Sequence, residues 1–126
     1  MIYNQNAGSI KSIPREELEA ALKAQGFDPV IHSTDSEEEL AQVLDGIQGI
    51  VLAVGGDGTL RATALRLLGR SGVELAFIPA GTANNVAHAF GVQDMSWQDI
   101  VGGLKGTRSQ PFDVGKVTGP IGECYF

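Results

Sequence analysis

The residues best suited to chemistry form one run, Gly55-Gly56-Asp57-Gly58-Thr59, between the apolar stretch 50–54 and a helical pattern that begins near Leu60. An apolar stretch that ends in glycines and opens a helix leaves the first helical N–H groups without intrahelical partners. Those donors and the helix dipole together favour an anion such as phosphate. Asp57 stands among them. A carboxylate repels a phosphate unless a metal ion or a transferred proton intervenes, so the run points to phosphoryl chemistry with Mg²⁺ rather than to plain anion binding. The competing reading is a tight turn with Asp57 as a helix cap, but three glycines in four residues exceed what a cap needs. No Gly-Lys-Ser/Thr ending follows, and the spacing is not that of a dinucleotide fingerprint, so backbone donors must do most of the holding.

Three further loops carry polar residues of the same kind. Gly81, Thr82, Asn84 and Asn85 lie in 81–85, which offers a backbone approach, a hydroxyl and two amides, or merely a helix start capped by Thr82. Asn4, Gly8, Ser9 and Lys11 form another candidate phosphate-facing loop. Thr34, in 32–36, is either a nucleotide contact or a simple turn residue. His32 and His88 have too few companions for a zinc site.

The elements that must position these loops alternate. Residues 2–4 read as the end of a short strand, and Ser12 and Pro14 mark a helix with Leu18, Ala21 and Leu22 on one stripe, stopped by Gly26. A brief strand is expected over 29–32. Ser36 and Glu39 form a capping box for a helix carrying Leu40, Val43, Leu44 and Ile47. The uninterrupted apolar run 50–54 suits a central parallel strand. Leu60, Ala64, Leu67 and Leu68 give the next helix, with Arg66 and Arg70 as charges that complement its dipole. A strand over 73–78, a short helix reaching Phe90, and a helix opened by Ser96 and Asp99 follow. Trp97 is expected partly in the core. A strand over 112–117, a turn over 118–122 and the beginning of another element over 123–126 complete the chain. Strands alternating with helices over short loops imply a doubly wound, mainly parallel α/β sheet with helices on both faces. In such sheets ligands bind beyond the carboxyl ends of the strands, where all four polar loops fall.

Composition narrows the class. With 43% hydrophobic and 19% charged residues, an ordered globular fold is expected. A net charge of −6 with nine basic residues disfavours nucleic acid as a partner. The single cysteine, Cys124, rules out an internal disulfide, fits a cytoplasmic setting, and reads as a small buried hydrophobe. No window approaches a membrane span, and the N-terminus has no signal-peptide pattern.

Taken together, Gly55–Thr59 and the later Pro79-Ala80-Gly81-Thr82-Ala83-Asn84-Asn85 resemble the catalytic domain of the diacylglycerol kinase family, which includes bacterial lipid kinases and sphingosine kinases. NAD kinases and phosphofructokinases share the Gly-Gly-Asp loop. The resemblance covers essentially the whole chain, with 2–8 matching the family's opening strand and loop. It implies an ATP-dependent kinase acting on a lipid hydroxyl such as that of diacylglycerol. Asp57 would act catalytically near Mg²⁺ and the γ-phosphate. Gly55, Gly56, Gly58, Thr59, Gly81 and Thr82 would surround the phosphates, with Asn4, Gly8, Ser9, Thr34, Asn84 and Asn85 as further nucleotide contacts. Phe112-Asp113-Val114-Gly115 matches the family's later Asp-containing strand, which makes Asp113 a second candidate metal ligand.

The chain departs from the family pattern at several positions. Gln5 and Ala7 replace a proline and a serine, Ser9 stands where a basic residue is common, and Arg61-Ala62 replaces the frequent Asn-Glu. Asn85 stands where many members carry aspartate. Family enzymes also continue into a mostly β second domain. The expected division is therefore a nucleotide-binding domain over 1–111 and the start of a second domain over 112–126. Peripheral contact with the inner membrane face follows from a lipid substrate. The alternatives are a nucleotide-binding module without turnover and a kinase for a soluble acceptor such as NAD.

Overall fold

Alternation along three short strands fixes the layering in the computed structural model, which describes residues 1–33 and 36–126. Strand β2 (Gly49–Gly55) lies between β1 (Ile2–Tyr3) and β3 (Val73–Pro79), all parallel. Successive side chains of a strand face opposite sides of its sheet. Leu52 and Val54 therefore join Tyr3 and Ile78 on one side, against Leu18 and Leu22 of α1 (Arg15–Ala24) and Val101 of α5 (Trp97–Gly103). Ile2 and Val51 turn the other way. They meet Leu40 and Leu44 of α2 (Glu37–Leu44), with Ala62 and Leu67 of α3 (Asp57–Leu67) packed beside them. Helices cover both faces, as the alternating pattern requires, and Trp97 is partly buried against the first cluster.

The helix starts follow local chemistry. The Ser36 hydroxyl accepts from the Glu39 N–H, and the Ser96 hydroxyl from the Asp99 N–H, both at 3.1 Å. Arg70 lies beyond the end of α3, and its Nη1 donates to the Leu44 carbonyl, so it serves the C-terminus of α2 instead of its own helix. Leu68 caps α3 and is 46% exposed, outside the apolar stripe expected for it.

Two expected strands change. Over 29–32 a single parallel bridge forms, Ile2 with His32. Pro29 has no N–H to offer and β1 is two residues long, so no ladder can grow from the bridge. At the C-terminal end the strand begins later than expected, because Phe112 packs its ring on Phe90 at 5.4 Å. A hairpin then forms from β4 (Lys116–Gly119) and β5 (Gly122–Tyr125), antiparallel, with Lys116 opposite Tyr125. Gly115 and Phe126 extend the ladder by exchanging both backbone hydrogen bonds at 2.8 Å. Arg61 Nη2 donates to the Tyr125 carbonyl at 3.0 Å, joining the hairpin to α3. Cys124 sits on this hairpin and is exposed, contrary to the buried position expected for it, because no core element among the described residues packs over β5. No helix among the described residues is long and apolar enough to cross a membrane.

Candidate functional site

The parallel register brings three loops to one edge of the sheet. Gly55 is paired with Pro79, so the chain after β2 and the chain after β3 leave the sheet side by side. Both leave on glycine. A Cβ placed on Gly81 would lie 2.6 Å from Gly56 Cα, closer than real side chains tolerate. The two backbones touch, and each requires the other to lack a side chain. The Ala80 N–H donates to the Gly55 carbonyl at 2.7 Å, and the Ser9 N–H to the Ala80 carbonyl at 2.8 Å. Gly8 completes the contact, since a Cβ there would meet Thr82 Oγ1 at 2.9 Å.

Side chains then knit the loops. Asp57, in the first turn of α3, reaches the start of α4 (Asn85–Ala89). Its Oδ2 accepts from the Asn85 N–H at 2.9 Å and from Asn85 Nδ2 at 3.2 Å, and its Oδ1 accepts from the Val86 N–H at 3.1 Å. Asp57 is thus the cap of a helix 28 residues further along the chain, a role distinct from the capping of its own helix. Thr82 caps nothing here. The N-cap of α4 is Asn84, held at φ 48°, a left-handed conformation that asparagine tolerates. Its side chain closes on Gly81 in both directions, Oδ1 accepting from the Gly81 N–H and Nδ2 donating to the Gly81 carbonyl, each at 2.9 Å.

The first loop is tied to the second through Asn4. Its N–H donates to the Val54 carbonyl at 3.0 Å, its Oδ1 accepts from the Asn6 N–H at 2.9 Å, and its Nδ2 donates to Thr59 Oγ1 at 2.8 Å. Gly55 makes room for Thr59, because a Cβ on Gly55 would lie 2.6 Å from Thr59 Cβ. Below this loop the Tyr3 phenol donates to the Ile13 carbonyl at 2.7 Å, and burial pushes its pKa above the usual tyrosine range.

What stays open is the first turn of α3. Its N-cap is Gly56, which has no side chain to cap with, and a Cβ on Gly58 would meet nothing within 4 Å. The leading N–H groups of an α-helix have no partner within it, and such a helix start favours an anion.

The structure brings Asn4, Gly8, Ser9, Gly55, Gly56, Asp57, Gly58, Thr59, Gly81, Thr82, Asn84 and Asn85 into one knot. Thr34 lies outside the described residues. Asp113 is exposed in the segment before the hairpin. Among the described residues no three His, Cys, Asp or Glu side chains are grouped to hold a metal ion. Ser33 was not anticipated. It follows His32, which bridges Ile2 in parallel and whose carbonyl accepts from the Tyr3 N–H at 2.9 Å, and so it stands alongside Tyr3 at the end of β1. Its Oγ is buried with no hydrogen-bond partner among the described residues. Its place at the carboxyl end of a strand was the available signal.

An α/β sheet with glycine loops and an uncapped helix start beyond its carboxyl edge is an architecture that recurs in phosphate-binding domains. Comparison with known families makes the class specific. Residues 1–117 match the diacylglycerol kinase catalytic domain, and the chain belongs to that family. It is 33% identical over 119 residues to the "Probable lipid kinase YegS-like" of Pseudomonas aeruginosa, covering 88% of this chain and 39% of that protein. It is 36% identical over 94 residues to the protein of the same name from Stenotrophomonas maltophilia, covering 65% of this chain and 30% of that one. The chain therefore spans about two-fifths or less of the length of these relatives. No solved structure matches it.

Proposed function

We propose that this chain is the nucleotide-binding portion of an ATP-dependent lipid kinase that transfers the γ-phosphoryl group to a lipid hydroxyl, such as that of diacylglycerol. The observation that carries the reading is the open first turn of α3, with free space at Gly58, in a chain of this family. Phosphoryl transfer needs positioning and charge neutralisation above all. The N–H groups of Asp57, Gly58 and Thr59 would hold phosphate oxygens, with the Thr59 and Thr82 hydroxyls as added donors and Ser9 at the rim. Asn84, Gly55, Gly56 and Gly81 support these groups from behind. Asn85 fixes Asp57.

Mg²⁺ fits this donor set in one way. Asp57 spends three of its acceptor positions on N–H groups. Mg²⁺ commonly keeps several waters and binds through one or two carboxylates plus substrate phosphates. The ion would arrive with the triphosphate and neutralise its developing charge, with the remaining Asp57 position, and Asp113 if the segment before the hairpin closes, as protein ligands. The acceptor oxygen forms a bond to the γ-phosphorus as the bond to the β-phosphate oxygen breaks, and ADP leaves. The acceptor's proton passes to a carboxylate base; Asp57 has one acceptor position left beside its three hydrogen bonds, so it serves either the ion or that proton and not both. Residues 112–126 are read as the start of a second, mostly β unit, and the lipid acceptor implies peripheral membrane contact from the cytoplasmic side.

A module that binds nucleotide without turnover is the second reading, favoured by the absence of a carboxylate cluster among the described residues. Titrating the chain with ATP and Mg²⁺ by calorimetry, beside transfer of labelled γ-phosphate to diacylglycerol in mixed micelles, separates the two. Binding with transfer supports the kinase, and binding alone supports the module. Gly58→Ala should weaken ATP binding about tenfold while the fold holds, because the new methyl group occupies ligand space only. Wild-type affinity in that variant, or no ATP binding by the wild type, would remove the assignment.

A further inference from the structure

Asn4 does not need to touch the nucleotide to matter, and its hydrogen bonds say how it acts. The Asn6 N–H at 2.9 Å fixes which end of the Asn4 amide is oxygen, because an N–H can only donate. The other end is then an NH₂ group, and it faces Thr59 Oγ1 at 2.8 Å. That nitrogen has protons and no acceptor capacity, so the threonine oxygen must accept. Thr59's own hydroxyl proton is left to point elsewhere, and no acceptor for it exists among the described residues. The side chain lies close over Gly55, where any larger residue would collide with it. The Thr59 carbonyl is also bound, accepting from the Thr63 hydroxyl at 2.8 Å, which steadies the backbone beneath.

We infer that Asn4 is a positioning residue that turns Thr59 into an outward hydrogen-bond donor, aimed at the phosphate space in front of α3. The inference rests on the nucleotide-binding reading above and deepens it. A hydroxyl whose oxygen already accepts from Asn4 keeps its proton free to donate, which suits a ligand that can only accept, and the oxygens of a triphosphate are such acceptors. A freely rotating threonine would offer its lone pairs to the same oxygens some of the time. Asn4 removes that wrong orientation through a contact made within the protein.

The test is a double-mutant cycle read by calorimetric titration with ATP and Mg²⁺. Thr59→Val should weaken binding about tenfold, the loss of one good hydrogen bond to a charged group. Asn4→Ala alone should weaken it about three- to tenfold. In the Thr59→Val background the same Asn4 change should cost less than twofold, because no hydroxyl remains to orient. Thr59→Ser should bind as the wild type does and keep the full dependence on Asn4. If Asn4→Ala unfolds the loop, Asn4→Ser serves in its place. A serine oxygen still accepts from the Asn6 N–H and is too short to reach Thr59. Equal losses from the Asn4 change in both backgrounds would overturn the inference, since Asn4 would then be a direct ligand or a general brace. A second readout is free of nucleotide. The Asn4 side-chain NH₂ resonances should shift in Thr59→Val, and unmoved resonances would overturn the contact itself. A wild type that binds no ATP while its Asn4 resonances do respond would overturn the nucleotide reading, and with it the purpose assigned to this bond.

Discussion

Asp57→Ala is the sharpest test of the loop knot, because the structure gives this carboxylate a load to bear as well as a reaction to serve. It accepts three hydrogen bonds from the first residues of α4, at 2.9, 3.1 and 3.2 Å. Asn85 is exposed, so water replaces the carboxylate at both of its donors at small cost. The Val86 N–H is half-buried and is the donor whose loss matters more. Losing a helix cap costs about 1 kcal/mol, and removing a negative charge from a helix N-terminus adds roughly 0.3–1 kcal/mol. Together they come to roughly 1.3–2 kcal/mol. For a chain of this size that is roughly 4–10 °C in melting temperature. Asp57→Asn keeps one acceptor oxygen and should lose about half as much. Calorimetric melting reads the magnitude, and amide exchange at Asn85 and Val86 reads the place, with faster exchange there than elsewhere. A residue kept for catalysis alone usually leaves stability unchanged or improved when it is removed. Asp57→Ala melting within about 1 °C of wild type would therefore refute the capping role and leave only the chemical one.

The other predictions concern the glycine contact and the buried tyrosine. Gly81→Ala must separate a pair of touching backbones, so it should destabilise by about 1–3 kcal/mol, and a melting temperature equal to wild type would mean that Gly56 and Gly81 do not touch in solution. Burial holds Tyr3 protonated, against the opposing charge of Arg15, and its hydroxyl donates to the Ile13 carbonyl. With its folded pKa above the ordinary value of 10.0, the unfolded chain loses its proton first as pH rises. The stability that Tyr3 contributes is therefore fully present below pH 10.0 and is lost as pH climbs from there through the folded value. Denaturant midpoints of Tyr3→Phe should be lower at neutral pH, by about 1 kcal/mol in stability, and should fall less than those of wild type above that pH. Parallel curves for the two proteins would exclude the linkage.

What could be read from the sequence was whatever is decided by neighbours in the chain. The run that became β2 is apolar on both sides of its pleat, and only a central strand between two helical layers can use it. Ser36 and Ser96 reach donors three residues away, and both caps form where the pattern puts them. Topology alone assigns four polar loops to one edge of the sheet, and the loops after β1, β2 and β3 do meet there. The features that were missed join residues distant in the chain. Asp57 and Asn85 are separated by 28 positions, and nothing local in either loop tells a capping carboxylate from a metal ligand. The charge of Arg70 reads as complementing its own helix because the helix that it serves ends 26 residues earlier. The late start of β4 depends on Phe112 finding Phe90, a contact between two loops without periodicity.

The glycines show how this bears on function. Their density draws attention to the ligand, on the view that each missing side chain marks a close approach. Four of the site's glycines are accounted for by the protein itself: Gly55 by Thr59, Gly56 and Gly81 by each other, and Gly8 by Thr82. The space they leave builds the knot and would do so in a domain that bound nothing. Gly58 differs. It is the second residue of α3, and a methyl group there would touch no protein atom, so packing gives no reason for glycine at that position. The phosphate reading therefore rests on the one glycine of these loops whose missing side chain no protein atom explains, at a helix start beside the other four.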